Sequence, residues 1–233
     1  PLAQSTGEVL PIFIATSRKM TTDGKVSAEL SSTTNYLMNI VSIPKGHQTG
    51  VIERPSWGSE SRKTHFVFVG QRVLDREAFR NEIATQLSGR VGASKDILVY
   101  IHGFNTGYDE ARFRIAQIAT DSGFSGVPIL FSWPSQNKVF SYGADKENAM
   151  ASRDDLHQLL SDLGSTPGVG RIHILAHSMG TWLTMESLRE AALAGQGSLN
   201  GHLGDVMLAA PDIDLDVFKV QLQRVGPNAR ISI

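Results

Sequence analysis

From residue 97 onward, short apolar runs alternate with longer segments of helical period, and few architectures accept that pattern. The runs cover 97–101, 127–131, 172–175 and 206–210, and a further one opens at Ile231. Between them, 108–120 carries Phe113, Ile115, Ala116, Ile118 and Ala119, and 145–163 carries Ala149, Leu156, Leu159, Leu160 and Leu163. Residues 181–194 and 214–222 complete the alternation. A strand without clear polar alternation is buried on both faces. When such strands are linked by crossover helices they form a mostly parallel sheet with helices on both sides. The fold class expected is α/β.

The first part of the chain reads differently. Strands are expected at 10–15, 36–43 and 65–70, with a turn at 21–25 and a Gly-, Ser-, Pro- and charge-rich loop at 47–63. No long helix separates these strands, so they are expected to form an antiparallel edge. A helix follows over 75–87, with Asp75 as its N-cap. Neither a repeat nor a linker is visible. The expectation is one domain over 1–233, with 1–64 an N-terminal extension contributing edge strands and loops.

Composition narrows the chemistry. A net charge of −1 argues against broad electrostatic binding to nucleic acid or an anionic membrane. No stretch has the apolar length of a transmembrane helix. The absence of cysteine removes disulfides, a thiolate nucleophile and Cys-ligated zinc. The histidines lack the helical spacing of a zinc site, and no Gly-rich turn has dinucleotide or P-loop spacing.

What remains is a serine. The run at 172–175 leads into Ala176-His177-Ser178-Met179-Gly180, and a helical pattern begins at once. Strand, sharp turn and helix with serine at the apex is the setting of a nucleophile elbow. Strand and helix cross closely there, so the residues two before and two after the serine must be small, as Ala176 and Gly180 are. Ala3-Gln4-Ser5-Thr6-Gly7 fits the same relaxed spacing but follows no strand, and Ser5 is read as terminal coil. The alternative for Ser178 is a helix-capping serine.

Acyl transfer at a serine also needs donors for the oxyanion. One expected donor is the Met179 N–H. The other is the Phe104 N–H, in Tyr100-Ile101-His102-Gly103-Phe104-Asn105, directly after the strand at 97–101. His102 is expected to organise this loop and Gly103 to let the backbone approach the site. Without the elbow, His102-Gly103 would read as a simple turn. His177 is expected to line or support the pocket. Trp133, just past a strand, reads either as a pocket wall or as packing. Asp212 reads as the acid that orients a catalytic histidine, and the alternative is helix capping by Asp212 or Asp214. His202, the one histidine after Ser178, reads as a loop residue more readily than as a base.

Six segments resemble a bacterial family of α/β hydrolases known mainly as a domain of unknown function. They are Phe13-Ile-Ala-Thr16, Val69-Gly-Gln-Arg-Val-Leu-Asp-Arg76, Tyr100-Ile-His-Gly-Phe-Asn105, Phe131-Ser-Trp-Pro-Ser135, Ile174-Leu-Ala-His-Ser-Met-Gly180 and Leu208-Ala-Ala-Pro-Asp-Ile-Asp214. The resemblance implies an α/β-hydrolase fold with Ser178 as nucleophile. It implies esterase-like or lipase-like chemistry on a small-molecule acyl substrate, with no cofactor or metal. It also implies an acid after the strand opening at Ile231 and a Gly-His segment later still, so the fold is expected to be C-terminally incomplete and its base to lie beyond Ile233. A non-catalytic scaffold that binds a ligand or partner in the same cleft is the competing expectation.

Overall fold

The computed structural model describes residues 7–233, so Ser5 lies outside the described residues. Eight strands form one sheet: β1 (Val9–Met20), β2 (Val26–Ser42), β3 (Val67–Leu74), β4 (Ile97–Ile101), β5 (Val127–Ser132), β6 (Ile172–His177), β7 (Leu203–Ala209) and β8 (Arg230–Ser232). Their order is β3-β2-β1-β5-β4-β6-β7-β8. The β1–β2 and β2–β3 pairs are antiparallel, and every pair from β1–β5 to β7–β8 is parallel. This is the α/β fold anticipated from the alternation. β1, however, is an interior strand between β2 and β5. Only β2 and β3 make the antiparallel edge.

The helices are α1 (Arg76–Leu87), α2 (Tyr108–Asp121), α3 (Tyr142–Ala151), α4 (Arg153–Gly164), α5 (Met179–Leu193) and α6 (Leu215–Val225). Asp75 caps α1 by accepting from Ala78 N at 2.7 Å. One sheet face presents Phe13, Val99, Ile101, Ile129, Phe131 and Ile174 to Phe79 and Ile83 of α1, the leucines of α4, and Leu183 and Leu188 of α5. The opposite face presents Ile12, Ile14, Leu98, Tyr100 and Leu130 to Ala111, Ile115 and Ala116 of α2. Each Val, Leu, Ile or Phe side chain among them contributes about 1.5–3 kcal/mol when fully buried. β4 and β5 are buried along their whole length, so their apolar runs are continuous, whereas β6 and β7 alternate buried with half-buried positions.

Two local departures from the sequence pattern have clear causes. β1 pairs with β5 only from Phe13 to Thr16, and beyond this it continues with β2 as a two-stranded hairpin of irregular register. The hairpin half of β2 is polar and largely exposed, so it carries no buried-strand pattern. The helix expected over 145–163 is two helices. Ser152 divides them: its Oγ donates to Asn148 O at 2.7 Å and meets Ser17 Oγ at 2.7 Å. A serine bonding back to the preceding turn bends a helix, and β1 supplies its second partner. Among the described residues no helix is long and apolar enough to cross a membrane.

Candidate active site

The carboxyl ends of β4, β5, β6 and β7 lie side by side in the parallel part of the sheet, and the loops that leave them form one edge. Ser178 leaves β6 with φ 52 and ψ −124, and α5 starts at the next residue. This backbone conformation lies in a sparsely populated region for any residue with a Cβ. It is held from three sides. Ser178 N donates to Ala209 O at 2.9 Å, and Ser178 O accepts from Thr181 N at 3.0 Å and Thr181 Oγ1 at 2.6 Å. Asp212 N reaches the same carbonyl at 3.3 Å. The Oγ itself makes no capping bond to α5, which disfavours the helix-cap reading of this serine.

The small residues around the serine are explained by contact. A Cβ on Gly180 would stand 2.4 Å from His102 O and 2.8 Å from Ile101 O. Ala176 is fully buried. A Cβ on Gly103 would stand 2.8 Å from Ser178 Cβ and 2.7 Å from His177 Nδ1. The 102–107 loop therefore lies against the elbow, as the paired motifs suggested. Met179 opens α5, so its N–H has no intrahelical acceptor. The Phe104 N–H donates to no acceptor among the described residues. The next residue, Asn105, takes a left-handed conformation with φ 56.

His102 and Trp133 line no cleft; both are fully buried beneath this loop. The rings stack at 5.1 Å, and Trp133 Nε1 donates to His102 O at 2.8 Å. The indole needs a partner for its N–H and finds it in the loop. Burial, with the nearby charge of Arg18 adding to it, pushes the His102 imidazole down to about 3, so it stays neutral at ordinary pH. His177 is exposed and lines a groove of about 310 Å³ with Tyr100, Thr106, Leu175 and Ala209. On the Met179 side lies a smaller cleft of about 110 Å³, lined by Tyr142, Trp182, Ile213 and Val217 together with the charged Lys146, Asp212 and Asp214.

Asp212 bonds no histidine. Its Oδ2 accepts from the Tyr142 hydroxyl at 2.8 Å, and this bond pushes the phenol above its usual range. The α6 cap is Asp214, which accepts from Asp216 N and Val217 N, so Asp212 is not the helix cap either. His202 lies just before β7 starts, at the opposite end from the elbow, and bonds Gly170 O at 2.8 Å. No described histidine hydrogen-bonds Ser178.

The sequence did not single out the polar residues under the loop. Arg18 donates from Nε to Ser132 Oγ at 2.9 Å and from Nη2 to Thr106 O at 3.2 Å. Buried Asp145 accepts from Ser135 Oγ at 2.5 Å and Gln136 N at 2.8 Å, and Ser135 Oγ accepts from Thr106 N at 3.2 Å. Ser132 directly follows the apolar run at 127–131 and shares a family-matching segment with Ser135, but nothing in the sequence marks Arg18 or Asp145.

Comparison with known proteins identifies the family of the fold. The profile of a family described as "Alpha/beta hydrolase of unknown function (DUF900)" matches residues 75–232. "Uncharacterized protein alr1448" of Nostoc sp. (strain PCC 7120 / SAG 25.82 / UTEX 2576) is 35% identical over 62 residues, which is 27% of this chain. That match spans 16% of the relative's length.

Proposed function

The chain belongs to the DUF900 family of α/β hydrolases of unknown function, and from this premise we propose that it is a serine hydrolase acting on a carboxylic ester or related acyl group. The observation that carries the reading is Ser178 at φ 52 between β6 and α5, with Gly103 packed against its Cβ. A serine held in strained backbone at the start of a helix, beside unbonded amides, is arranged for attack on a carbonyl.

In this reading Ser178 Oγ bonds to the acyl carbon while its proton passes to a histidine. The Phe104 and Met179 N–H groups receive the oxyanion, and loss of either is expected to cost about 10²–10³ in rate. Collapse breaks the bond to the leaving oxygen, which takes the proton from the histidine and departs as the alcohol, leaving the acyl group on Ser178. Water attacks that ester, and the carboxylic acid leaves as the serine is restored. The acyl group lies in the cleft beside Met179, whose walls include Trp182, Ile213 and Val217. Asp212, held by Tyr142, serves the cleft wall in this reading rather than the triad.

The test is labelling of the full-length protein with a fluorophosphonate, read by peptide mass spectrometry across pH. The reading expects one adduct on Ser178, absent in Ser178→Ala, with a rate that rises through the pKa of the histidine base. A protein that takes no label but binds a ligand at this cleft would be the non-catalytic scaffold. That outcome is favoured if no histidine reaches Ser178.

A further inference from the structure

Arg18 is 2% exposed and forms no direct ion pair among the described residues, though the charges of Asp145 and Asp109 act on it from farther off. Burial lowers its pKa to about 10, so it remains a cation at neutral pH. A buried cation without a directly paired anion is costly, and such groups persist where hydrogen bonds hold them. Arg18 has three acceptors: Ser132 Oγ at 2.9 Å, Thr106 O at 3.2 Å and Ser27 O at 3.4 Å.

A guanidinium can only donate. Ser132 Oγ must therefore accept from Arg18, which leaves its own proton for another partner. That partner is His102 Nε2 at 3.0 Å. The same nitrogen accepts from Trp133 N at 3.2 Å. Nε2 therefore carries no proton, and the neutral ring holds its proton on Nδ1, which lies 3.0 Å from Gly103 O. The donor chain runs in one direction: Arg18, Ser132, His102, Gly103. Its last acceptor belongs to the peptide unit that contains the Phe104 N–H. A trans peptide holds C=O and N–H antiparallel, so fixing the carbonyl on His102 aims the Phe104 N–H the opposite way. Each bond in such a chain also polarises the next.

We propose that Arg18 is a positioning residue for the Phe104 amide, gripping the 102–106 loop at both ends. It acts through Ser132 and His102 on Gly103, and directly on Thr106. The inference rests on the reading that this amide receives the oxyanion. An arginine suits the task because its planar fork spans acceptors on three segments, whereas a lysine offers one point charge.

The experiment combines nitrogen-15 NMR of the histidines with hydrogen exchange and turnover of p-nitrophenyl acetate by the full-length protein. Wild-type His102 is expected to be neutral and Nδ1-protonated from pH 5 to 8. Arg18→Met should speed amide exchange at residues 104–107 and leave the rest of the sheet unchanged. It should lower kcat by about 10- to 100-fold, less than outright loss of a donor, with KM within about twofold. Arg18→Lys should recover part of the loss. Ser132→Ala breaks one arm only and should give a smaller drop; it also serves if Arg18→Met does not fold. An Nε2-protonated His102 in the wild type would overturn the proposal. So would variants whose loop exchange and kcat match the wild type, or a loss confined to KM. If instead Ser178 takes no label at all, the serine reading fails by itself, and the tautomer and exchange data still decide whether Arg18 fixes this amide.

Discussion

Replacing Ser178 by glycine should make the protein more stable than replacing it by alanine. At φ 52 and ψ −124 a residue with a Cβ is strained, and strain of this kind costs about 1–3 kcal/mol. Alanine keeps the Cβ and the strain. Glycine adopts the conformation freely but loses about 0.5–1 kcal/mol through the greater freedom of its unfolded chain. At mid-range values the difference is about 1 kcal/mol in favour of Ser178→Gly. For a domain of this size each kcal/mol moves Tm by about 2–4 °C, so the gap is about 2–4 °C. Both variants lose the hydroxyl, and its Oγ makes no capping bond to α5, so the comparison isolates the backbone. Differential scanning calorimetry on the two purified variants measures it. A Ser178→Gly Tm equal to or below that of Ser178→Ala would refute stored strain at the elbow.

Further outcomes follow from close contact and from charge. Gly180→Ala drives a methyl against two backbone oxygens that cannot rotate away. Overpacking of about 1–3 kcal/mol exceeds the gain in helix propensity of about 1 kcal/mol, so calorimetry should show a lower Tm and the 102–107 loop should separate from the elbow. His47 bridges Glu53 at 2.9 Å and Asp121 at 2.7 Å, fastening the 44–66 loop to the end of α2. Burial pulls the His47 pKa down, but the hydrogen bonds and charges of the two carboxylates outweigh it and the net shift is upward. Both carboxylates are shifted downward by their hydrogen bonds and by His47, against their own burial. The histidine's contribution is therefore fully present below its unfolded pKa of about 6.5 and is lost as pH rises through the higher folded value. The carboxylate contribution is present above their unfolded pKa of about 4 and is lost as pH falls through the lower folded values. The Tm difference between wild type and His47→Gln should be largest near pH 5–6 and shrink toward pH 9; a difference that grows with pH would contradict this sign.

The parallel part of the sheet was legible because strands such as β4 and β5, buried on both faces, must be apolar along their length. The elbow was legible for a related reason: close crossing of β6 and α5 admits only small residues at 176 and 180, and that restriction survives in one dimension. The reach of the β1–β2 hairpin was not, since from Lys19 to Asn35 its residues are mostly polar and exposed or half-buried and obey no burial pattern. The break at Ser152 depends on Ser17, 135 residues away, and helical periodicity carries no trace of such a contact. Trp133 could be a pocket wall or core from its position after β5, and only the buried partner of its indole nitrogen decides. The network of Arg18, Ser132, Ser135 and Asp145 was invisible for the same reason: each residue is ordinary alone, and its meaning comes from partners that the fold supplies.

Whether Ser178 is a nucleophile decides the proposed function. Intact-mass and peptide analysis of the full-length protein after fluorophosphonate treatment measures this directly. One phosphonyl adduct is expected, mapped to Ser178 and abolished in Ser178→Ala. No adduct at any pH, or an adduct that persists in Ser178→Ala, would contradict the proposed function.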